Sequence, residues 1–98
     1  MYRTKSFDEA LSKKLKKPRY AREFLLASME GNDGMDLFEA LKFTISCMGT
    51  KEFSEASGIL PPNISRALSQ DSAPKVETLN KFLAPFKLRV KIDVEKVA

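Results

Sequence analysis

Apolar residues recur along this chain at two different periods. From Phe7 into the eighties the spacing is helical. Phe7, Ala10, Leu11 and Leu15 form the first stripe, running to about Lys16. Ser6 and Glu9 predict a capping box at its start, Ser6 accepting from the third amide and Glu9 reaching back. Pro18 suits the first turn of a second helix, where a missing N–H costs nothing. Tyr20, Ala21, Phe24, Leu25 and Met29 are that helix's apolar stripe. Residues 30–34, Glu-Gly-Asn-Asp-Gly, are turn formers and break the pattern. A third helix follows, with Leu37, Phe38, Leu41, Ile45 and Met48 on one face. Gly49 is placed to close it in a left-handed cap. Thr50 is placed to cap a fourth helix over residues 51–57, which Gly58 ends. Pro61 or Pro62 opens a fifth, running to about Ser69, and residues 70–74 read as a loop. A sixth covers residues 75–83, with Val76, Leu79, Phe82, Leu83 and then Phe86 inward and Pro85 limiting its length.

At residues 87–95 the period drops to two. Leu88, Val90, Ile92 and Val94 face one way and charged residues the other, which predicts a half-buried strand. The pattern contains no second strand to pair with it. The expected fold is therefore mainly α, with five or six helices and one C-terminal β-strand, in a single domain spanning residues 1–98.

Composition narrows the function. The 98 residues include no histidine and one cysteine, Cys47. That removes imidazole acid–base pairs, histidine metal sites, clusters of two or more thiolates and any intrachain disulfide. No Gly-rich phosphate loop is present. The acid pairs Asp8/Glu9 and Asp33/Asp36 fall at expected helix starts, where they complement the helix dipole. We expect neither enzyme activity nor a metal or other cofactor. No apolar run approaches the roughly 20 residues that cross a bilayer, and no apolar stretch follows the basic residues of the N-terminus. A cytoplasmic protein is expected, with Cys47 a small buried hydrophobe.

Charge is distributed unevenly. Residues 1–22 carry eight Lys/Arg and two acids, residues 23–60 two and seven, residues 61–98 seven and four. The net charge of +4 thus hides a negative middle between two positive ends. Lys13, Lys14, Lys16, Lys17, Arg19 and Arg22 form a basic cluster that either touches a polyanion or is simply solvated.

Residues 50–69 are the most informative stretch. Two helices that cross closely need a small residue at the crossing, and Ser54 supplies it. Four residues on, Gly58 stands where φ is often positive. Ile59 then tucks under the turn, and Ile64 and Leu68 give the second helix its buried side. Pro62, Asn63, Ser65, Arg66 and Ser69 are left outward. This spacing resembles the helix-turn-helix of Cro and the phage repressors, whose second helix enters the major groove of DNA. It departs at two points: the crossing residue is Ser54 rather than alanine, and Leu60 with two prolines behind it stands where Ser or Thr caps the recognition helix.

Over residues 7–93 the chain also resembles the bacterial addiction-module antidote proteins, the antitoxins of toxin–antitoxin pairs. Phe24-Leu-Leu-Ala-Ser-Met-Glu, the Asn-Asp-Gly turn, Leu37-Phe-Glu-Ala-Leu, the Ser54 to Leu68 motif, Pro74-Lys-Val-Glu-Thr-Leu and Phe86-Lys-Leu-Arg-Val carry the resemblance. Ala84-Pro85-Phe86 and Ser72-Ala73-Pro74 replace the family's usual Ala-Leu-Gly and Gly-Asn-Pro. The resemblance implies a repressor of its own operon that neutralises a RelE/ParE-like ribonuclease toxin. The competing readings are a stand-alone regulator without a toxin, and an interaction module that has lost DNA binding.

These readings assign roles. Pro62, Asn63 and Arg66 are candidate base contacts, Asn for adenine and Arg for guanine. Asn63 has an alternative as a local cap. Thr50, Lys51, Ser65, Ser69 and Lys75 are candidate phosphate contacts. A toxin that holds RNA is basic, so the acidic middle, with Glu23, Asp33 and above all Glu30, Asp36 and Glu39, is its candidate surface. The lone strand must find its backbone partner in another chain: the same strand of a twin, or an edge of the toxin. A homodimer is favoured, since paired half-sites ask for two-fold symmetry.

Overall fold

The computed structural model describes residues 5–31 and 33–97, with side chains from residue 9 onward. The side chains of Ser6, with its expected cap bond, Phe7 and Asp8, and all of Asn32, lie outside that description. Among the described residues there are six helices: α1 (Lys5–Leu15), α2 (Pro18–Ser28), α3 (Leu37–Met48), α4 (Thr50–Ser57), α5 (Pro61–Leu68) and α6 (Val76–Leu83). A 3-10 turn, Ala84–Phe86, extends α6. The fold is mainly helical, and no strand occurs among the described residues. None of these helices is long and apolar enough to cross a membrane.

The central element is α3, which buries Phe38, Ala40, Leu41, Thr44, Ile45, Cys47 and Met48 and packs against α1, α2 and α4. Its start is fixed by a reciprocal capping box. Glu39 N–H donates to Asp36 Oδ1 at 2.9 Å, and Asp36 N–H donates to Glu39 Oε1 at 3.2 Å. Ser12 Oγ donates to the Met48 carbonyl, which ties α1 to the far end of α3. Gly49 joins α3 to α4 without a loop. Its φ of 105° and ψ of 136° differ from the expected left-handed cap, yet they too are open essentially to glycine alone. Gly49 is therefore both the last cap of α3 and the first of α4, and Thr50 sits inside the helix rather than capping it.

Phe53 of α4 links the two halves of the core. It is fully buried, its ring 5.6 Å from that of Phe82 and 6.0 Å from that of Phe86. Leu15, Leu25, Leu41, Ile45, Ile64 and Leu83 complete the cluster, so every helix contributes to one core. Two residues expected inside stand at its margin: Tyr20 and Val76 are each 40% exposed. Tyr20 lies on the edge of a stripe centred on Ala21 and Leu25, and Val76 opens α6 before the helix reaches the core.

The C-terminal strand is corrected. Lys87 has φ 61°, ψ 37° and acts as a left-handed cap. Lys87 N–H donates to the Ala84 carbonyl at 2.9 Å and Leu88 N–H to that of Leu83 at 3.2 Å, the paired bonds of a Schellman ending. The helical stack thus claims Lys87, and the tail starts one residue later. Leu88 and Val90 are half-buried against the core. Val90 N–H donates to Asn80 Oδ1 at 2.7 Å, a side chain taking the place of a neighbouring strand. Beyond it, Ile92 and Val94 are 72% and 89% exposed rather than half-buried. A strand needs a ladder, and one chain with a single such segment cannot supply one.

Candidate nucleic-acid interface

The turn between α4 and α5 is locked by side chains as well as by its glycine. Gly58 has φ 79° and ψ 5°, the left-handed conformation the sequence calls for, and its N–H donates to the Ser54 carbonyl at 2.8 Å. Ser54 Oγ donates to the Ile59 carbonyl at 2.6 Å, and Ile59 N–H donates to Ser57 Oγ at 3.1 Å. Serine at the crossing is thus more than a small residue: its hydroxyl binds the turn to the helix before it. With Phe53 and Ile64 both fully buried, the relative placement of α4 and α5 is fixed from within.

On α5, Ile64 is buried and Ala67 and Leu68 are half-buried. Pro62, Asn63, Ser65, Arg66 and Ser69 are all exposed, as predicted for an outward face. Arg66 Nη1 donates to Asn63 Oδ1 at 3.3 Å across one turn of the helix. The two candidate base readers therefore lie side by side. The helix has no side-chain cap bond, so Asn63 does not serve as a cap in its place. Ser69 Oγ donates to the Arg66 carbonyl at 3.1 Å, so its single hydroxyl proton must turn away from that carbonyl to reach a phosphate.

Thr50 and Lys51 open α4, and Lys75 precedes α6 as its first cap; all three are exposed. Of the basic cluster, Lys13, Lys14, Lys16, Lys17 and Arg19 are exposed, while half-buried Arg22 lies 3.7 Å from Glu23. Such an exposed pair contributes little to stability. A shallow groove lined by Lys16, Pro18, Phe86 and Lys87 brings the N-terminal and C-terminal basic segments together.

The acidic candidates divide. Glu30 is exposed at the end of α2, while Asp36 and Glu39 are the two halves of the α3 capping box. Those two acids already have a structural task, one legible in the spacing Asp36-Leu-Phe-Glu39. Near them, sequence reading missed an aromatic pair: Phe24 and Phe43 stack with centroids 5.6 Å apart, and Phe43 stays 40% exposed. Phe43 falls off the buried stripe of α3, so periodicity alone gave it no partner. Asn80, which holds the tail, was also missed.

Comparison with known protein families, with curated proteins and with solved structures found no match.

Proposed function

We propose that this chain is a non-enzymatic, sequence-specific DNA-binding protein. In this reading α4 and α5 are a helix-turn-helix of the Cro and phage-repressor type, and α5 enters the major groove. The observation that carries it is the exposed Asn63–Arg66 pair, hydrogen-bonded on the outer face of a short helix whose inner face and turn are fixed. A rigid helix presenting an amide and a guanidinium side by side suits readout of base edges. Thr50, Lys51, Ser65, Ser69 and Lys75 would contact phosphates and set the register.

One arginine on the recognition helix is little charge for a duplex, so the protein would act as a dimer on paired half-sites. The tail offers the means. Residues 91–97 expose Ile92, Val94 and Val97 on backbone that belongs to no helix or strand and that no other described segment pairs. Pairing with the same segment of a twin would turn both into an antiparallel ribbon and cover those side chains. The resemblance further supports an antitoxin that represses its own operon and holds a RelE/ParE-like toxin. Its acidic surface would be centred on Glu23 and Glu30, where charge reversal leaves the α3 cap intact.

The test is binding to DNA upstream of the protein's own gene, against a scrambled duplex. Asn63→Ala with Arg66→Ala should remove discrimination between the two and leave the circular dichroism spectrum unchanged. Lys51→Ala should weaken binding to both and lower the salt slope. Discrimination that survives the double substitution contradicts the assignment of α5. For the partner, Glu23→Lys with Glu30→Lys should slow association with the product of an adjacent toxin-like reading frame at low salt; an unchanged rate places that contact elsewhere.

A further inference from the structure

Leu60 stands where a helix start normally carries a polar cap, and it is 66% exposed. Among the described residues outside the tail, no large apolar side chain is more exposed. It contributes nothing to the core, and its φ of −66° and ψ of 142° turn the chain out of the helix. Pro61 and Pro62 follow, both exposed.

The backbone here has little left to offer a phosphate. Pro61 and Pro62 have no N–H. Asn63 N–H donates to the Leu60 carbonyl at 2.9 Å, and Ile64 N–H donates to the same oxygen at 3.1 Å. Of the four amides that open this helix and could hold an anion, those of Pro61 and Pro62 are absent and that of Asn63 is used, which leaves Leu60 alone. What this end presents instead is a stiff apolar knob: two locked rings and a leucine. It lies beside Asn63 of the proposed base-reading pair, since Leu60 and Asn63 line one groove.

The major groove exposes one apolar substituent on its base edges, the 5-methyl group of thymine. We propose that Leu60 and Pro62 read thymine by packing against that methyl group, next to the base pairs addressed by Asn63 and Arg66. This inference rests on the DNA-binding reading above. It adds a specificity determinant that reads by contact rather than by hydrogen bonding. Each half-site then holds a thymine whose methyl group, not its O4, is recognised.

The experiment uses the full-length wild-type chain and a duplex enriched by it from a random library. Each thymine of the enriched duplex is replaced in turn by deoxyuridine, which differs only in lacking the methyl group. At one or two positions per half-site, affinity should fall about 3- to 5-fold, the effect of exposing one methyl-sized group. Leu60→Ser is a safe variant, because serine is a better helix cap than leucine. It should bind thymine and deoxyuridine duplexes equally, while Pro62→Ala reduces the difference. Two results overturn the proposal with DNA binding intact: wild type indifferent to every replacement, or a deoxyuridine penalty that persists undiminished in both variants. A change in the oligomeric state of free Leu60→Ser would also overturn it, assigning the leucine to a protein contact. Failure to enrich any sequence would refute the DNA-binding reading itself.

Discussion

The turn between α4 and α5 is closed by bonds among Ser54, Ser57, Gly58 and Ile59, whereas in residues 91–97 Val94 N–H finds only the Oδ1 of its own neighbour Asp93. Both regions have alternating apolar and polar positions, and both carry part of the proposed function. They differ in where a backbone group can find a partner. A helix supplies its own, four residues away, and needs outside help only at its ends. At the turn between α4 and α5 that help comes from Ser54, Ser57 and Gly58. An extended segment supplies none, so its order depends on what lies beside it. Asn80 holds the tail at Val90, and residues 91–97 are exposed. The face proposed to read DNA is thus completed by one molecule, whereas the segment proposed to dimerise would need a second.

Four changes can break or sharpen this contrast. Phe53→Ala should have the largest effect. It empties a fully buried ring site that joins α4 to Phe82 and Phe86. A loss of about 3–5 kcal/mol in urea unfolding is expected. A loss under about 1 kcal/mol would mean that the α4 region is held mainly by its turn. Ser54→Ala keeps the crossing small but deletes the bond to the Ile59 carbonyl. It should cost about 1 kcal/mol, with DNA affinity falling as α5 loses its fixed position. No change in either quantity would reduce the serine to a mere small residue.

Lys87→Gly acts at the boundary between the two regions. Lys87 is the one described non-glycine residue with positive φ, so relieving it should stabilise the fold by roughly 0.5–1 kcal/mol. Destabilisation would argue that the lysine side chain has a contact of its own. Truncation after Val90 should have the smallest effect on monomer stability, within about 0.5 kcal/mol. It keeps the Schellman ending and the Asn80 bond and removes only exposed residues. Sedimentation should nevertheless show a dimer reduced to a monomer. A truncated chain that stays dimeric would place the two-fold contact on the helices.

Much of this was legible because helices announce themselves locally. The periodic stripes and the breaks at Gly31, Gly34, Gly49 and Gly58 placed all six helices to within a residue or two. The outward face of α5 followed from where Ile64 and Leu68 had to go. What pattern could not give were the bonds between elements. That Ser12 reaches Met48, that Ser54 reaches Ile59 and that Asn80 reaches Val90 depends on packing that spacing does not encode. The strand was misplaced for the same reason. Alternation at Leu88, Val90, Ile92 and Val94 records which way side chains point in an extended chain. It does not supply a neighbour, and Lys87 was drawn instead into the helix cap. Asp36 is legible as an acid at a helix start, but the spacing Asp36-Leu-Phe-Glu39 also encodes the capping box that engages both acids of the expected toxin surface.

The central claim is that the outer face of α5, with the start of α4, is where DNA binds. Backbone amide NMR of the labelled chain, titrated with a duplex enriched from a random library, tests it residue by residue. The account predicts saturable shifts at Thr50, Lys51, Asn63, Ser65, Arg66 and Ser69, with Glu23 and Glu30 unmoved. Shifts centred on the α2–α3 surface, or none that saturate, would contradict it.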